Sequence, residues 1–254
     1  MLWVWVVSLP VTVLNSPAVT AYTAPRYGTT AGDIVGLLLW VVGFGLEAVA
    51  DVQKFRHRMR GMTGPEGAVC DTGLFACSRH PNYFGEILLQ FGIFMVAVVP
   101  ASHGAVPRGS GASAALYASI VGPVFLTVLL LFVSGLNLQE RPGAKRRFER
   151  DGPAGPVWTR YRTWLERTSI LIPFPPGLYV RLPVWVKRTV FLEFPIYVFD
   201  PVKHAGAAPG KTGQGQEGTE AVEAEGVPGV ERDSRQQQQE QQQQVRSESG
   251  EALV

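Results

Sequence analysis

Residues 78–86 read SRHPNYFGE and stand directly ahead of an apolar run, ILLQFGIFMVAVV. Arg79 and His80 are donors that can hold an anion, and Asn82 and Glu86 can hydrogen-bond a polar ligand. Pro81 suits the first turn of a helix, because its missing N–H would be unpaired there anyway. With a helix starting near Pro81, Asn82, Glu86 and Gln90 recur at i, i+4 and i+8 and form one polar stripe on an apolar helix. Polar groups at membrane depth must meet protein partners or line a cavity. Two readings stay open. The stripe is a hydrogen-bonded seam between helices, or it is the wall of a site for a polar, phosphate-bearing cofactor that enters from the basic side. Glu47, in GFGLEAVADVQK, raises the same question, since it shares a helical face with Asp51 four residues on.

The elements that must position these groups are membrane spans. A bilayer needs roughly 20 apolar residues and tolerates about 17, and Ile34–Ala50, Phe84–Val99 and Ala112–Leu136 qualify. Leu2–Leu14 is apolar but interrupted by Pro10, and reads as a short or truncated membrane helix. AVTA at 18–21 resembles a cleavage site but lacks the basic start of a secretory signal. Residues 168–202 alternate short apolar runs with Pro and basic residues, which predicts a segment lying along the membrane interface. Lys54, Arg56, Arg58, Arg60 and Arg79 lie between the first two spans, and eight Lys/Arg between 141 and 167 follow the third. The other two loops hold one Arg each, Arg26 and Arg108. Positive loops stay cytosolic, so both basic loops are expected on one side.

From Lys203 onward the composition changes to Gly, Gln and Glu with almost no large apolar residues, so 203–254 reads as a disordered tail. That tail carries 5 Lys/Arg against 9 Asp/Glu, whereas residues 1–202 carry 18 against 12. The basic body is a membrane body, and no soluble basic domain suggests a nucleic-acid partner. Cys70 and Cys77 have the spacing of neither a zinc site nor a redox pair, and no metal site is expected. GFGLEA at 43–48 matches G-x-G-x-x-A but lies inside a span with no preceding strand, so its glycines read as helix-packing residues. His57, His103 and His204 stand alone and read as solvated.

Four stretches together carry a likeness: ADVQKFRHR (50–58), DTGLFACSRHPNYFGEILLQFG (71–92), GPVFLTVLLLFVSGLNLQER (122–141) and YRTWLERTSILIPFPP (161–176). In these the chain resembles the steroid 5-alpha-reductase-like membrane family, in the branch called domain of unknown function 1295. The resemblance implies an all-α, polytopic membrane bundle of three or four spans that uses NADPH. It also implies distant kinship with the isoprenylcysteine and phospholipid methyltransferases, which share an R-H-P-x-Y block and use S-adenosylmethionine. Carried over to this sequence, the N-x-x-G-E pattern places cofactor contacts at Asn82, Gly85 and Glu86. The acidic-then-basic helix end corresponds to Asp51, Lys54 and Arg58, and the terminal elements to Tyr161, Arg162 and LIPF at 171–174. Arg79 and His80 join them at the basic lip, and Glu140 takes an acidic position that the methyltransferases share. Family members usually have further helices ahead of VSLP, so residues 1–202 read as a domain shortened at its N-terminus. The link FERDGPAGPVWTRYRTW is longer and richer in Pro than is usual in the family.

The expected activity is reduction of a C=C bond in a lipophilic, enone-type substrate by NADPH, in the endoplasmic reticulum membrane with the basic loops and tail cytosolic. Hydride attack on an enone builds negative charge on the carbonyl oxygen, and Tyr83 or a protonated Glu47 could supply a donor to it. The alternatives are an S-adenosylmethionine-dependent methyltransferase and a non-catalytic membrane protein. The topology is open to test by cysteine labelling in a background lacking Cys70 and Cys77. Single cysteines in loops 51–83 and 137–167 should react with an impermeant maleimide only when the cytosolic face is exposed. Labelling of the first loop from the opposite face would overturn the orientation.

Overall fold

The structure, a computed structural model, describes residues 2–22, 28, 30–60 and 69–204. The proposed tail lies outside the described residues, save for its first two positions. Three short helices come first: α1 (Leu2–Val7), α2 (Leu9–Leu14) and α3 (Pro17–Thr20). Then follow α4 (Ala31–Met59), α5 (Pro81–Ser102) and a run from Gly111 to Asp151, each long and apolar enough to cross a membrane. That run comprises α6 (Gly111–Ala118), α7 (Val121–Val128), a π-helical turn (Leu129–Val133) and α8 (Leu136–Asp151). Helix α9 (Pro156–Arg167) precedes a broken C-terminal segment with α10 (Pro176–Tyr179), α11 (Val184–Thr189), a 3₁₀ turn (Pro195–Tyr197) and α12 (Pro201–His204). Among the described residues there is no strand, only an isolated parallel bridge between Ser78 and Ser169. The chain is a polytopic membrane helical bundle.

Local signals account for the ends of α4. The Thr30 hydroxyl accepts from Asp33 N at 3.1 Å, and the Asp33 carboxylate accepts from Thr30 N at 3.2 Å, a reciprocal cap on the first turn. Arg56, His57 and Arg58 sit in the last turn, where cations favour the negative end of the helix dipole. Ile34, Leu37, Leu38, Val41, Val42 and Phe44 are exposed along the helix. In water such a face would be a large apolar patch, whereas in a bilayer it is the surface that lipid requires.

The opposite face of α4 is made of small residues. Gly36 and Gly43 are seven apart on α4, and Gly85 and Gly92 are seven apart on α5. A Cβ added at Gly43 would lie 2.6 Å from Gly85 O and 2.5 Å from Leu89 N. One added at Gly36 would lie 2.9 Å from Gly92 O. The two helices therefore run antiparallel with their backbones in contact, an arrangement that a seam of side chains would prevent. Lipid tails are as apolar as the side chains, so this close packing, and not a hydrophobic driving force, holds the pair together. The glycine of GFGLEA that packs is Gly43; at Gly45 an added Cβ meets nothing within 4 Å.

The segment read as a short N-terminal membrane helix is instead two short helices, with Pro10 buried. They rest on α7, where a Cβ on Gly122 would come within 2.9 Å of Val6 O and 3.1 Å of Pro10 Cδ. Further along the third run, the helix is interrupted before it reaches the charged end. Ser134 N donates to Leu129 O at 2.8 Å across five residues, and a Cβ on Gly135 would collide with Leu130 O at 2.1 Å. The π turn redirects α8, a common role for such turns at functional positions. Leu131 O, at this turn, accepts from the Tyr197 hydroxyl at 2.7 Å, tying the C-terminal segment to the bundle.

The seam makes a paired prediction. Gly43→Leu should destabilise the purified protein by about 3 kcal/mol, the upper end of overpacking costs, because backbone cannot move aside. Gly45→Ala should be neutral or stabilising by up to about 1 kcal/mol. Denaturation midpoints in one detergent decide it, and equal tolerance at both positions would refute the seam.

Candidate functional site

Between α4 and α5 the chain turns back through a 3₁₀ turn (Gly73–Ala76), where Leu74 N donates to Gln53 Oε1 at 2.9 Å. The next residues dock on the stretch after α9. Arg79 N donates to Ser169 O at 2.8 Å, the Ser78 hydroxyl to Leu171 O at 2.7 Å, and Phe174 N to Cys77 O at 3.0 Å. Trp164 Nε1 donates to Phe75 O at 3.0 Å. These bonds join two loops about 90 residues apart in sequence, and they fix where the next two side chains point.

Arg79 points inward. Its side chain is 5% exposed, and its guanidinium meets three partners. Nη1 donates to Glu140 Oε2 at 2.5 Å, Nε to Thr168 O at 3.1 Å, and Nη2 to the Glu193 carboxylate. The second oxygen of Glu140 accepts from His80 Nε2 at 2.7 Å, so both carboxylate oxygens are used. The Tyr179 hydroxyl donates to Glu193 Oε2 at 2.8 Å. Burial alone would lower the Arg79 pKa, but Glu140 and Glu193 outweigh it and hold the guanidinium above its ordinary value. Burial, reinforced by Glu140, pushes the Tyr161 phenol up to about 12, so it stays protonated at neutral pH.

The Arg79–Glu140 pair is a wall shared by two cavities. One, of about 270 Å³, is lined by Lys54, His57, Arg58, Arg147 and Tyr161 together with His80. The other, of about 720 Å³, lies against Phe148, Trp158, Phe199 and Arg162. Trp158 meets Phe148 and Phe199 edge-on, at 5.3 and 5.8 Å between centroids. Arg147 lies over the Tyr161 ring at 4.2 Å and donates to Gly143 O at 3.0 Å.

Of the residues singled out from sequence, Lys54, Arg58, Arg79, His80 and Tyr161 gather on the smaller cavity. Arg162 opens instead on the larger one, paired with Glu166 at 2.9 Å. Glu47, Asp51, Tyr83 and Glu86 form a second group on the facing sides of α4 and α5, close enough to influence one another electrostatically. Glu47 packs on Gly85, where an added Cβ would lie 3.1 Å from Glu47 Cβ. Tyr83 stacks on His80 at 5.1 Å between centroids and accepts from Gln139 Nε2 at 2.5 Å. Asn82 Oδ1 is sealed from solvent and has no hydrogen-bond partner among the described residues. Asp51 and Arg56 are exposed, and Arg56 lines neither cavity. His57, expected to be solvated, is half-buried in the cavity wall, in the last turn of α4 at the basic end.

Sequence reasoning did not single out Gln139, Arg147, Tyr179 or Glu193. For Glu193 a signal was present, a lone carboxylate inside the apolar VFLEFPIYVF. Its partner lies 114 residues away, and nothing local names it.

Fold and site define a helical membrane protein with a charged cleft at the basic end of its bundle. The family described as "Protein of unknown function (DUF1295)" matches residues 1–153, and the chain belongs to this family of steroid 5-alpha-reductase-like proteins. Comparison with curated proteins and with solved structures finds no match. A relationship to the isoprenylcysteine methyltransferases is not shown by this match.

Removing one member of the buried pair should be costly. Glu140→Ala leaves the Arg79 charge short of a partner, and breaking a buried pair costs about 3–5 kcal/mol. A denaturation midpoint in detergent within error of the parent protein would show that the pair does not organise the cleft.

Proposed function

We propose that the chain is a membrane-embedded, NADPH-dependent reductase that saturates a C=C bond in a lipophilic substrate. The reading is supported by one convergence above all. Lys54, His57, Arg58, Arg79, His80 and Arg147 surround a single cavity at the end of the helix pair that carries Asn82 and Glu86. Clustered guanidinium and ammonium groups suit a ligand that bears several phosphates, through charge-assisted hydrogen bonds.

Two observations bear on whether NADPH fits. Asn82 Oδ1 lines neither cavity; among the described residues it is a buried acceptor without a donor, an arrangement that costs about 1–3 kcal/mol unless a ligand reaching between the helices completes it. The larger cavity falls within the roughly 300–1,000 Å³ usual for ligand sites, and its aromatic faces can receive a planar ring. Bound there, NADPH would supply the electron pair for reducing a conjugated double bond.

The chain's own residues would bind, orient and donate. Lys54 and Arg58 would hold phosphate. Arg79 is engaged on all sides, so its first task is to anchor the loop that carries His80 and Asn82. Gly85 lets α4 approach, which brings Glu47 beside Glu86, three residues along α5 from Tyr83. Since Tyr83 O accepts from Gln139, the phenolic proton remains to be aimed at another acceptor, such as a carbonyl oxygen that gains negative charge. Protonated Glu47 is the second candidate donor. The exposed apolar faces of the bundle suit a substrate that arrives from the lipid, with the basic end in the cytosol and the endoplasmic reticulum as the membrane.

Purified protein titrated in parallel with NADPH and S-adenosylmethionine should bind the first and not the second. The reverse outcome would replace reduction by methyl transfer. Glu86→Gln and Asn82→Ala should each weaken NADPH binding several-fold to about a hundredfold, since each removes one hydrogen-bond partner. Unchanged affinity with a lowered denaturation midpoint would make the stripe a packing seam instead.

A further inference from the structure

The segment after α9 is anchored at two points. Phe174 N donates to Cys77 O at its start, and the Tyr197 hydroxyl donates to Leu131 O near its end. Between these anchors the chain carries its own small core. Phe191 meets Phe174 and Tyr179 edge-on at 5.0 and 5.3 Å between centroids, and Lys187 lies 4.5 Å above the Tyr179 ring. From this loop the Glu193 carboxylate reaches back into the bundle and binds Arg79. Leu192, just before it, adopts φ 57°, a left-handed conformation that is uncommon for residues other than glycine. The backbone thus bends into an uncommon shape at the residue that delivers the carboxylate. The same loop supplies Val184, Lys187, Arg188 and Glu193 to the wall of the larger cavity.

We infer that Glu193 is a latch: a resident carboxylate that holds residues 175–196 closed over the larger cavity and that a ligand phosphate displaces from Arg79. The two carboxylates on Arg79 are not equivalent. Glu140 is 5% exposed and shared with His80, so it stays. Glu193 is 21% exposed and belongs to a loop of short helices, so it is the partner that can leave. An anion arriving in the cavity meets Arg79 on that side and takes over the charge-assisted bonds that Glu193 gives up. The loop keeps its aromatic core and swings on its two anchors, which lets a ligand enter without unfolding the segment. Tyr179 moves with Glu193, since the two are hydrogen-bonded within the loop.

This inference deepens the cofactor reading by assigning a gate to the same site, and the two can fail separately. The full-length protein in detergent is exposed to trypsin, whose targets Arg181 and Arg188 are exposed on the loop, with and without inorganic pyrophosphate or NADPH. Both ligands should speed cleavage at Arg188. Glu193→Gln should be cleaved faster without ligand and should bind pyrophosphate at least about threefold tighter, having lost its internal competitor. If NADPH binds but neither cleavage nor affinity responds to ligand or to the substitution, the latch is wrong and the cofactor reading stands. If pyrophosphate opens the loop while NADPH does not bind, the latch stands and the cofactor reading falls. Failure of both ligands to bind overturns both. The ligand-dependent cleavage of the unaltered protein decides the matter even where Glu193→Gln does not fold.

Discussion

A guanidinium sealed from water at the end of a membrane bundle is the interaction on which the cleft depends. Taking such a charge out of water costs several kcal/mol, and attraction repays that only with good geometry and full hydrogen bonding. Arg79 meets both conditions by drawing partners from three places: Glu140 on α8, Thr168 after α9, and Glu193 in the C-terminal segment. None of these elements neighbours it in sequence. The charge therefore acts as a specificity device, since any other docking of α8, α9 or the C-terminal segment would strand it without partners.

The apolar part of the bundle works by a different physics. Between α4 and α5 there is no water to expel, so stability rests on backbones close enough for dispersion, which the glycines at 36, 43, 85 and 92 permit. The close approach has a chemical consequence. It sets Glu47 directly on Gly85, beside Glu86, and so concentrates carboxyl groups where the lipid environment makes each expensive. The seam and the cleft are thus linked through α5, which begins just after His80 in one and carries Gly85 and Gly92 in the other. The π turn and Gly135 complete the arrangement by redirecting α8, so that Glu140 faces Arg79.

Much of this was legible in residue types and spacing. Three runs of about 20 apolar residues define spans because the bilayer imposes that length, and the basic clusters after the first and third mark one end of the bundle. Pro81 starts α5 as its missing N–H requires, and Asn82, Glu86 and the glycines fall on α5 where a 3.6-residue period puts them. Lys54, Arg58 and Tyr161 were named from a family resemblance and His80 from the basic lip of the stripe, and all four meet on one cavity. Only the tertiary structure decided the rest. Arg79 looked like a surface donor at a membrane lip and is a buried hub, because the partners that bury it lie 61 and 114 residues away. Glu193 stood out as a lone carboxylate in an apolar run, but nothing local named Arg79 as its partner, and Pro10 marked the break in the N-terminal apolar run without showing that both halves pack on α7. Periodicity and hydropathy record what each segment needs from its surroundings. Which segments meet is settled by backbone approach and charge pairing, and those are properties of the assembled bundle.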